Sequence, residues 1–499
     1  MLTPLASPQQ AAQWLRARVR GVLRTDSRQV RPGDGFIAWP GAATDGRRFV
    51  ADALAQGASA CLVEHEGAAA FGFTQPQVAS YAGLKAGTAL VADAYYGAPS
   101  RALDVVAITG TNGKTSSAWW LAWALSNKEL VTQAPCGLIG TLGVGVPPAL
   151  RPSGMTTPDP VLVQRSLREF VDAGVRACAI EASSIGIAER RLDGLAIRVA
   201  VFTNFSQDHL DYHGSMAAYW AAKSALFDWP GLQAAVLQID DPRAGELLGK
   251  VEARGLDCWT VSRRQPARLR AEDIGYGEHG LRWTVCEGAE HVRLQTALVG
   301  DYNIDNLMGV LAVLRALGVP LAAAVAACAD LPPVPGRMER IGAPGAPLAV
   351  IDYAHTPDAI DQVLQALRPL AEQRGGQLWC VFGCGGNRDP LKRPLMAAAA
   401  EAAADRLLLT SDNPRDEDPL AILQAMRGGL RRPAAALVEP DRARAIDQAL
   451  AEAGGADVVL IAGKGHEDYQ ELRGERRPFS DQAVARQALQ RRAALKGGA

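Results

Sequence analysis

Lysine is scarce in this chain: only eight of its 52 basic residues are lysines. Chance would account for that count, yet Lys114, Lys223, Lys392 and Lys464 lie in or beside the polar segments described below. An ammonium, unlike a guanidinium, is a compact point charge for phosphate and can lose its proton and react. An excess of either charge is also missing, 52 Lys and Arg facing 53 Asp and Glu. No overall field steers the protein onto nucleic acid or anionic lipid, so an anionic substrate has to be held by local arginines. Residues 1–14 lack a basic start followed by an apolar core, and no apolar run is long enough to span a bilayer. These absences predict a cytoplasmic protein with no membrane insertion and no nucleic-acid partner. Of eight cysteines, the only close pair, Cys380 and Cys384, has neither a second pair nor histidines at zinc-ligand spacing, which predicts reduced, partly buried thiols.

Apolar sequence is plentiful, 48% of 499 residues, enough to give a core to each of about three domains. Residues 1–99 mix short apolar runs with turns at 31–35 and 41–46 and read as a small α/β domain, with 95–100 as its exit linker. From 100 to 335, strands read at 105–109, 177–181, 199–203 and 235–239 with helical sequence between them, which predicts a P-loop-type doubly wound parallel sheet. A proline-rich hinge at 331–336 opens the region 336–499. Its strands read at 348–353, 378–382, 406–410 and 458–462, a Rossmann-like unit. The expected fold class is therefore α/β in three domains, 1–99, 100–335 and 336–499.

The central unit carries Gly110-Thr111-Asn112-Gly113-Lys114-Thr115 between an apolar run at 103–108 and helix-forming sequence at 116–125. A strand, a glycine loop and a helix N-terminus in series converge backbone N–H groups, the positive helix end and a lysine on polyphosphate, and Thr115 offers a hydroxyl to Mg²⁺. Strict phosphate-loop spacing would put the first glycine at Ile108, so this is a compressed variant. An ordinary strand-to-helix turn would not need the Gly-Lys-Thr ending; the sequence predicts a nucleoside triphosphate site.

Other polar clusters, at 181–184, 204–209, 352–355, 383–389, 411–415 and 463–467, fall at the carboxyl ends of predicted strands, the edge where open α/β sheets bind ligands. Two such edges facing across a hinge would form a cleft suited to joining several substrates with water excluded. Glu181 and His209 are the metal candidates near the loop, the carboxylate suiting Mg²⁺ better than the imidazole. Asp208 and His213 could instead cap a helix or make ordinary hydrogen bonds. Asp412-Asn413-Pro414-Arg415 could be only a proline turn. Read functionally, it combines acceptor, amide and guanidinium, and with Arg393 and Glu467 could take an amino acid's carboxylate and ammonium together.

Gly-Thr-Asn-Gly-Lys-Thr at 110–115, Glu-Ala-Ser-Ser at 181–184, Thr-Asn-Phe-Ser-Gln-Asp-His-Leu-Asp-Tyr-His at 203–213, Asp-Tyr-Ala-His-Thr-Pro-Asp at 352–358 and Gly-Lys-Gly-His-Glu-Asp-Tyr-Gln at 463–470 stand in the order found in the Mur ligases. The chain resembles this family, three-domain cytoplasmic enzymes of peptidoglycan precursor synthesis, over nearly its whole length. The box at 412–415 is similar to the signature of members that add meso-diaminopimelate. The resemblance implies a monomeric ATP-dependent acid–amino-acid ligase, using Mg²⁺, that joins meso-2,6-diaminopimelate to UDP-N-acetylmuramoyl-L-alanyl-D-glutamate through an acyl phosphate.

It also implies site residues. Gly110, Thr111, Asn112, Gly113, Lys114, Thr115 and Ser116 would bind ATP, with Asn303, Asn306, Arg337, Asp352 and His355 around the hinge. Ser27, Thr156, Thr157, Ser183, Glu189 and Arg191 would hold the UDP substrate, Glu189 standing where glutamine is common. Arg393, Asp412, Asn413, Pro414, Arg415, Gly463 and Glu467 would form the diaminopimelate pocket. Thr115, Glu181, His209 and Lys223, the last carbamylated to N6-carboxylysine, would hold metal, and Lys114, Lys223 and His209 would be catalytic. Ile185 replaces a histidine that often follows the paired serines. A D-Ala-D-Ala adding or folylpolyglutamate ligase would share the phosphate loop without the box at 412–415. A nucleotide-gated binding protein would not need acceptor residues at three strand ends.

Overall fold

In the strand Asp104–Thr109, Val106 and Ile108 pack on one face and Val105 and Ala107 on the other, all buried. Successive side chains of a strand point to opposite faces, so a run that is apolar throughout has to be covered by helices on both sides. The computed structural model describes residues 2–41, 44–127, 129, 131, 134–277, 280–343 and 345–497, and each of its three large sheets is layered in this way.

The first sheet runs in the order Thr3–Leu5, Val78–Tyr81, Ala60–Glu64, Gly35–Ala38, Leu23–Arg24, with every pair parallel. The helix Leu84–Tyr96 and the 3₁₀ turn Pro99–Ala102 occupy the stretch read as an exit linker. The central sheet is parallel from Leu269–Gly277 through Asp257–Ser262, Ala234–Gln238, Ile197–Phe202, Asp104–Thr109 and Ala177–Glu181 to Cys136–Gly140. Both of its edges then continue antiparallel. Gly280–Glu287 and Glu290–Gln295 extend one side, and Gly143–Val146 and Ala149–Arg151 the other. The strand leading into the phosphate loop has Ala177–Glu181 on one side and Ile197–Phe202 on the other, which opens a crevice at its carboxyl end.

The third sheet is ordered Glu339–Ile341, Leu348–Asp352, Val458–Ala462, Leu378–Phe382, Arg406–Leu409, Leu437–Val438, parallel except for its first strand. A separate hairpin, Tyr469–Leu472 with Glu475–Pro478, lies against the box at 412–415, because Arg415 donates its N–H to Glu471 O and accepts from Arg473 N. Among the described residues no helix is long and apolar enough to cross a membrane. All eight cysteines are free, and all but Cys258 are buried.

A buried ion pair holds two strand ends of the third sheet together. Arg442 gives bidentate hydrogen bonds to Asp481 at 2.7 Å and further bonds to Ala462 O and Ser411 O, with both side chains 0% exposed. A charge left alone in such a place is far worse than no charge. Arg442→Met is therefore predicted to destabilise the protein by about 3–5 kcal/mol, and Arg442→Met with Asp481→Leu by much less. Urea unfolding checks this. An unchanged midpoint in the single variant would contradict it.

Candidate active site

The phosphate loop is tied to the neighbouring strand's end. Thr111 N donates to Asn204 O at 2.9 Å, Asn112 N to Asn204 Oδ1 at 2.8 Å, and the Thr203 hydroxyl to Asn112 O at 2.6 Å. Gly113 caps the helix Lys114–Leu125 with φ of 84°, and a Cβ there would sit 2.2 Å from Asn306 Oδ1, so only glycine fits. The Lys114 ammonium lies over the loop, donating to Gly110 O and Thr111 O at 2.8 Å. Burial lowers its pKa, against the raising effect of Glu181 and Asp208.

Glu181 ends its strand 1% exposed, accepting from the Thr115 hydroxyl at 2.8 Å, the Thr141 hydroxyl at 3.1 Å and Thr141 N at 2.8 Å. Burial raises its pKa, opposed by the Thr141 N–H and by Lys114. A carboxylate with two hydroxyls beside a phosphate loop is a hard oxygen donor set, and it fits Mg²⁺. Lys223 is 1% exposed, donates to Gly110 O at 2.6 Å and sits 4.5 Å from the centre of the Tyr219 ring. Burial, reinforced by Lys114, pushes its pKa well below that of an ordinary lysine.

Asp208 is a bridge between the central and third sheets. Its carboxylate accepts from Lys392 Nζ at 3.0 Å and stands 3.4 Å from His209 Nε2 and 4.0 Å from His355 Nε2. Burial alone would raise its pKa, but His355, His209 and Lys392 outweigh that and hold it below the carboxylate range. Burial takes His209 down to about 4, so that imidazole is neutral at pH 7, and burial also lowers His355. Asp358 adds a second bridge, accepting from Asn112 Nδ2 at 3.1 Å and the Ser206 hydroxyl at 3.3 Å. The Arg337 guanidinium lies over the Tyr353 ring and reaches the Thr115 hydroxyl at 3.4 Å. Asp352 accepts from Met338 N and Ala354 N, fastening the hinge to its strand.

Between these elements lies a cavity of about 1180 Å³. Thr111, Asn112, Gly113, Lys114, Thr115, Ser116, Glu181 and His209 line it from the central sheet, with Asn303 and Asn306 from the helix Tyr302–Ala316; Arg337, Asp352 and His355 face them. Thr156 and Ser183 reach its wall, whereas Lys223 and Gly110 do not. Thr157 donates to Glu181 O at 2.6 Å and meets Ser183 Oγ at 2.9 Å, while Arg191 donates to Thr157 O at 2.8 Å. Four of the six residues read for the UDP substrate are thus one cluster. Ser27 opens a 3₁₀ turn in the first region, and its neighbour Thr25 hydrogen-bonds Asp159, the cap of the helix Pro160–Asp172. Glu189 is engaged by Lys85 of the first region at 2.7 Å and by the Tyr212 hydroxyl at 2.6 Å.

The acceptor residues form a second cluster that does not line the cavity. Asn413 Nδ2 donates to Glu467 Oε2 at 2.8 Å, and the fully buried Lys464 ammonium donates to both residues at 3.0 Å. Asp412 accepts from Asn413 N, and Gly463 follows with φ of 111° and its Cα against Asp412. Arg393 donates to Glu417 at 2.8 Å, but its buried Nε has no partner. Pro414 is followed by Arg415 in the left-handed region at φ 53°, a strained placement held by the two backbone bonds to the hairpin. Its guanidinium donates to Gly386 O at 2.6 Å.

Thr141, Asp358 and Arg442, which the sequence does not single out, complete these clusters, together with Asp208, Lys392 and Lys464, whose contacts it does not show. Asp358 stands in the motif at 352–358, but only the approach of two sheets shows that it meets Asn112. Asp208 makes ordinary hydrogen bonds, and His213 meets the Ser184 hydroxyl at 3.0 Å.

Family models match most of the chain: "Mur ligase family, catalytic domain" at residues 21–92, "Mur ligase middle domain" at 108–314 and "Mur ligase, glutamate ligase domain" at 336–465. A UDP-N-acetylmuramoyl-L-alanyl-D-glutamate–2,6-diaminopimelate ligase of Acidovorax sp. (strain JS42) is 60% identical over 98% of this chain and 99% of its own. One of the same name from Janthinobacterium sp. (strain Marseille) is 45% identical over 96% of each chain. A solved structure of a UDP-N-acetylmuramoyl-L-alanyl-D-glutamate–2,6-diaminopimelate ligase is 34% identical, covers 95% of both chains and superposes with a TM-score of 0.64.

Proposed function

This chain belongs to the Mur ligase family, and on that premise we propose that it is an ATP-dependent ligase joining meso-diaminopimelate to UDP-N-acetylmuramoyl-L-alanyl-D-glutamate. The observation that carries the proposal is the cavity whose walls combine the phosphate loop, Glu181, and Arg337 and His355 from beyond the hinge, with Thr156 and Ser183 at its margin. Use of ATP and of a UDP-linked precursor puts the reaction in the cytoplasm. Region 1–99 would serve the UDP precursor, 100–335 ATP and 336–499 the amino acid, with Thr156, Thr157, Ser183 and Arg191 of the central region completing the first site and Arg337, Asp352 and His355 of the last completing the second.

A carboxylate does not react with an amine at neutral pH. Its oxygen first attacks the γ-phosphorus of ATP, the bond to ADP breaks, and an acyl phosphate results. The deprotonated amine of the amino acid then attacks the acyl carbon, the nitrogen gives up a proton to water, phosphate leaves, and an amide remains. Lys114 and the loop N–H groups stabilise charge on the transferring phosphoryl group. Mg²⁺, when bound, offsets charge on the phosphoryl oxygens, and Thr115, Glu181 and the neutral ring of His209 are the residues that would hold it. The lowered pKa of Lys223 favours an amine that could add CO₂ at nitrogen and lose a proton to water, and the resulting carbamate would supply an anionic oxygen to a metal.

Diaminopimelate differs from lysine by a carboxylate at its far end. Arg415, with Arg393 and its unpartnered Nε, supplies the guanidinium groups for that carboxylate. Arg415→Ala is predicted to raise KM for diaminopimelate by about 10- to 100-fold, the loss of a charged hydrogen-bonded pair. KM for ATP should change little, since the acceptor cluster does not line the cavity. Steady-state kinetics with each substrate varied in turn check both expectations. A rise in KM for ATP as large as that for diaminopimelate would contradict them.

Phosphate release tests the class of activity. It should require ATP, the UDP dipeptide and diaminopimelate together. A nucleotide-gated binding protein would bind ATP and release no phosphate under any combination.

A further inference from the structure

Outside the lining of the cleft, the antiparallel edge of the central sheet gathers three different metal-binding side chains. Cys286 of Gly280–Glu287 stands directly opposite His291 of Glu290–Gln295, with Sγ 3.1 Å from Nδ1. On the other side Glu272 of Leu269–Gly277 pairs with Thr284, two residues from Cys286 and so on the same face. The donor atoms of Glu272, Cys286 and His291 all lie within 4.8 Å of one another. Donors around one tetrahedral zinc-type ion stand about 3.4–3.6 Å apart, given its bond lengths, so small side-chain rotations suffice.

We propose that Glu272, Cys286 and His291 form a binding site for a divalent borderline cation of the Zn²⁺ class, with a water in the fourth position. One sulfur, one nitrogen and one carboxylate oxygen on three adjacent strands match the open three-ligand pattern of such ions. On binding, the S–H bond of Cys286 breaks as sulfur bonds to the metal, and the proton goes to water, one per ion. Thiolate and carboxylate then neutralise the 2+ charge, with the imidazole neutral. Arg270 holds one oxygen of Glu272 at 3.0 Å, orienting the carboxylate and leaving the other oxygen for the metal. Cys286 is 1% exposed while His291 is exposed, so an ion would reach the thiol from the imidazole side. Without a metal, Cys286 and His291 share a cross-strand hydrogen bond and Glu272 pairs with Arg270. This site is separated from the phosphate loop's strand by Asp257–Ser262, Ala234–Gln238 and Ile197–Phe202, and none of its three residues lines the cleft.

The test is titration of the full-length, chelator-treated protein with Co²⁺, read by absorbance and by proton release. The expected result is a thiolate-to-cobalt charge-transfer band with the visible bands of a tetrahedral complex, saturating at one ion per chain with one proton released. Cys286→Ser should abolish the charge-transfer band, and His291→Ala and Glu272→Ala should each weaken binding at least about tenfold. His291→Ala, a change at an exposed position, should leave ligation unchanged. Co²⁺ taken up by the cleft's oxygen ligands gives no thiolate band, so failure here is distinguishable from failure of the ligase reading. No band in the wild-type protein, or an undiminished band in Cys286→Ser or His291→Ala, overturns the proposal.

Discussion

Lys114→Ala is expected to lower kcat for ligation by at least about 10³-fold, the scale of losing a charge that acts on a transferring phosphoryl group. Its ammonium already spans the loop from Gly110 O to Thr111 O, and a nucleotide's phosphates would have to lie against it. Burial lowers its pKa, and bound polyphosphate would oppose that by favouring the charged form. The side chain lines a cavity and packs in no core, so the unfolding midpoint should stay near that of wild type. Near-normal turnover at saturating ATP would remove this loop from phosphoryl transfer.

Lys223→Ala is expected to lose at least about 10²-fold in kcat through loss of an anionic metal-side ligand. Small carboxylates such as acetate should partly restore activity by occupying the space left by the carbamate. Lys223→Arg should not recover, because a guanidinium keeps its proton and cannot take up CO₂. The chemistry needs a neutral amine, and burial against Gly110 O and the Tyr219 ring, with Lys114 nearby, lowers the pKa in that direction. Full activity in the Arg variant would exclude a carbamate.

What could be read from the sequence was whatever local pattern dictates. The strands Ala177–Glu181, Leu378–Phe382 and Val458–Ala462 match their apolar runs residue for residue, because strands buried on both faces carry no polar residue until their functional end. Glycines with a Lys-Thr ending mark the phosphate loop for the same reason: the chemistry needs those types in that order. The antiparallel edges were not legible, since Gly143–Val146 is a short glycine-interrupted strand and Glu290–Gln295 is largely polar, and neither breaks from loop composition. Nor were the links across the cleft. Lys392 with Asp208, at 3.0 Å, is separated by 184 positions in the chain, and only packing of two sheets brings the pair together. Arg442 and Asp481 look like surface charges on two helices, yet both are buried because their partners are strand ends. Lys464, noticed for the rarity of lysine, proves to neutralise Glu467 from inside the acceptor cluster.

The central claim is choice of amino acid. It is tested most directly by kcat/KM for meso-diaminopimelate and for L-lysine, with the UDP dipeptide and ATP saturating and the amide product identified by mass. With lysine bound, the Arg415 guanidinium and the unpartnered Nε of Arg393 would meet no distal carboxylate, a loss of several kcal/mol, so the account predicts a preference for diaminopimelate of about 10³- to 10⁴-fold. Equal use of the two amino acids by the wild-type enzyme would contradict it.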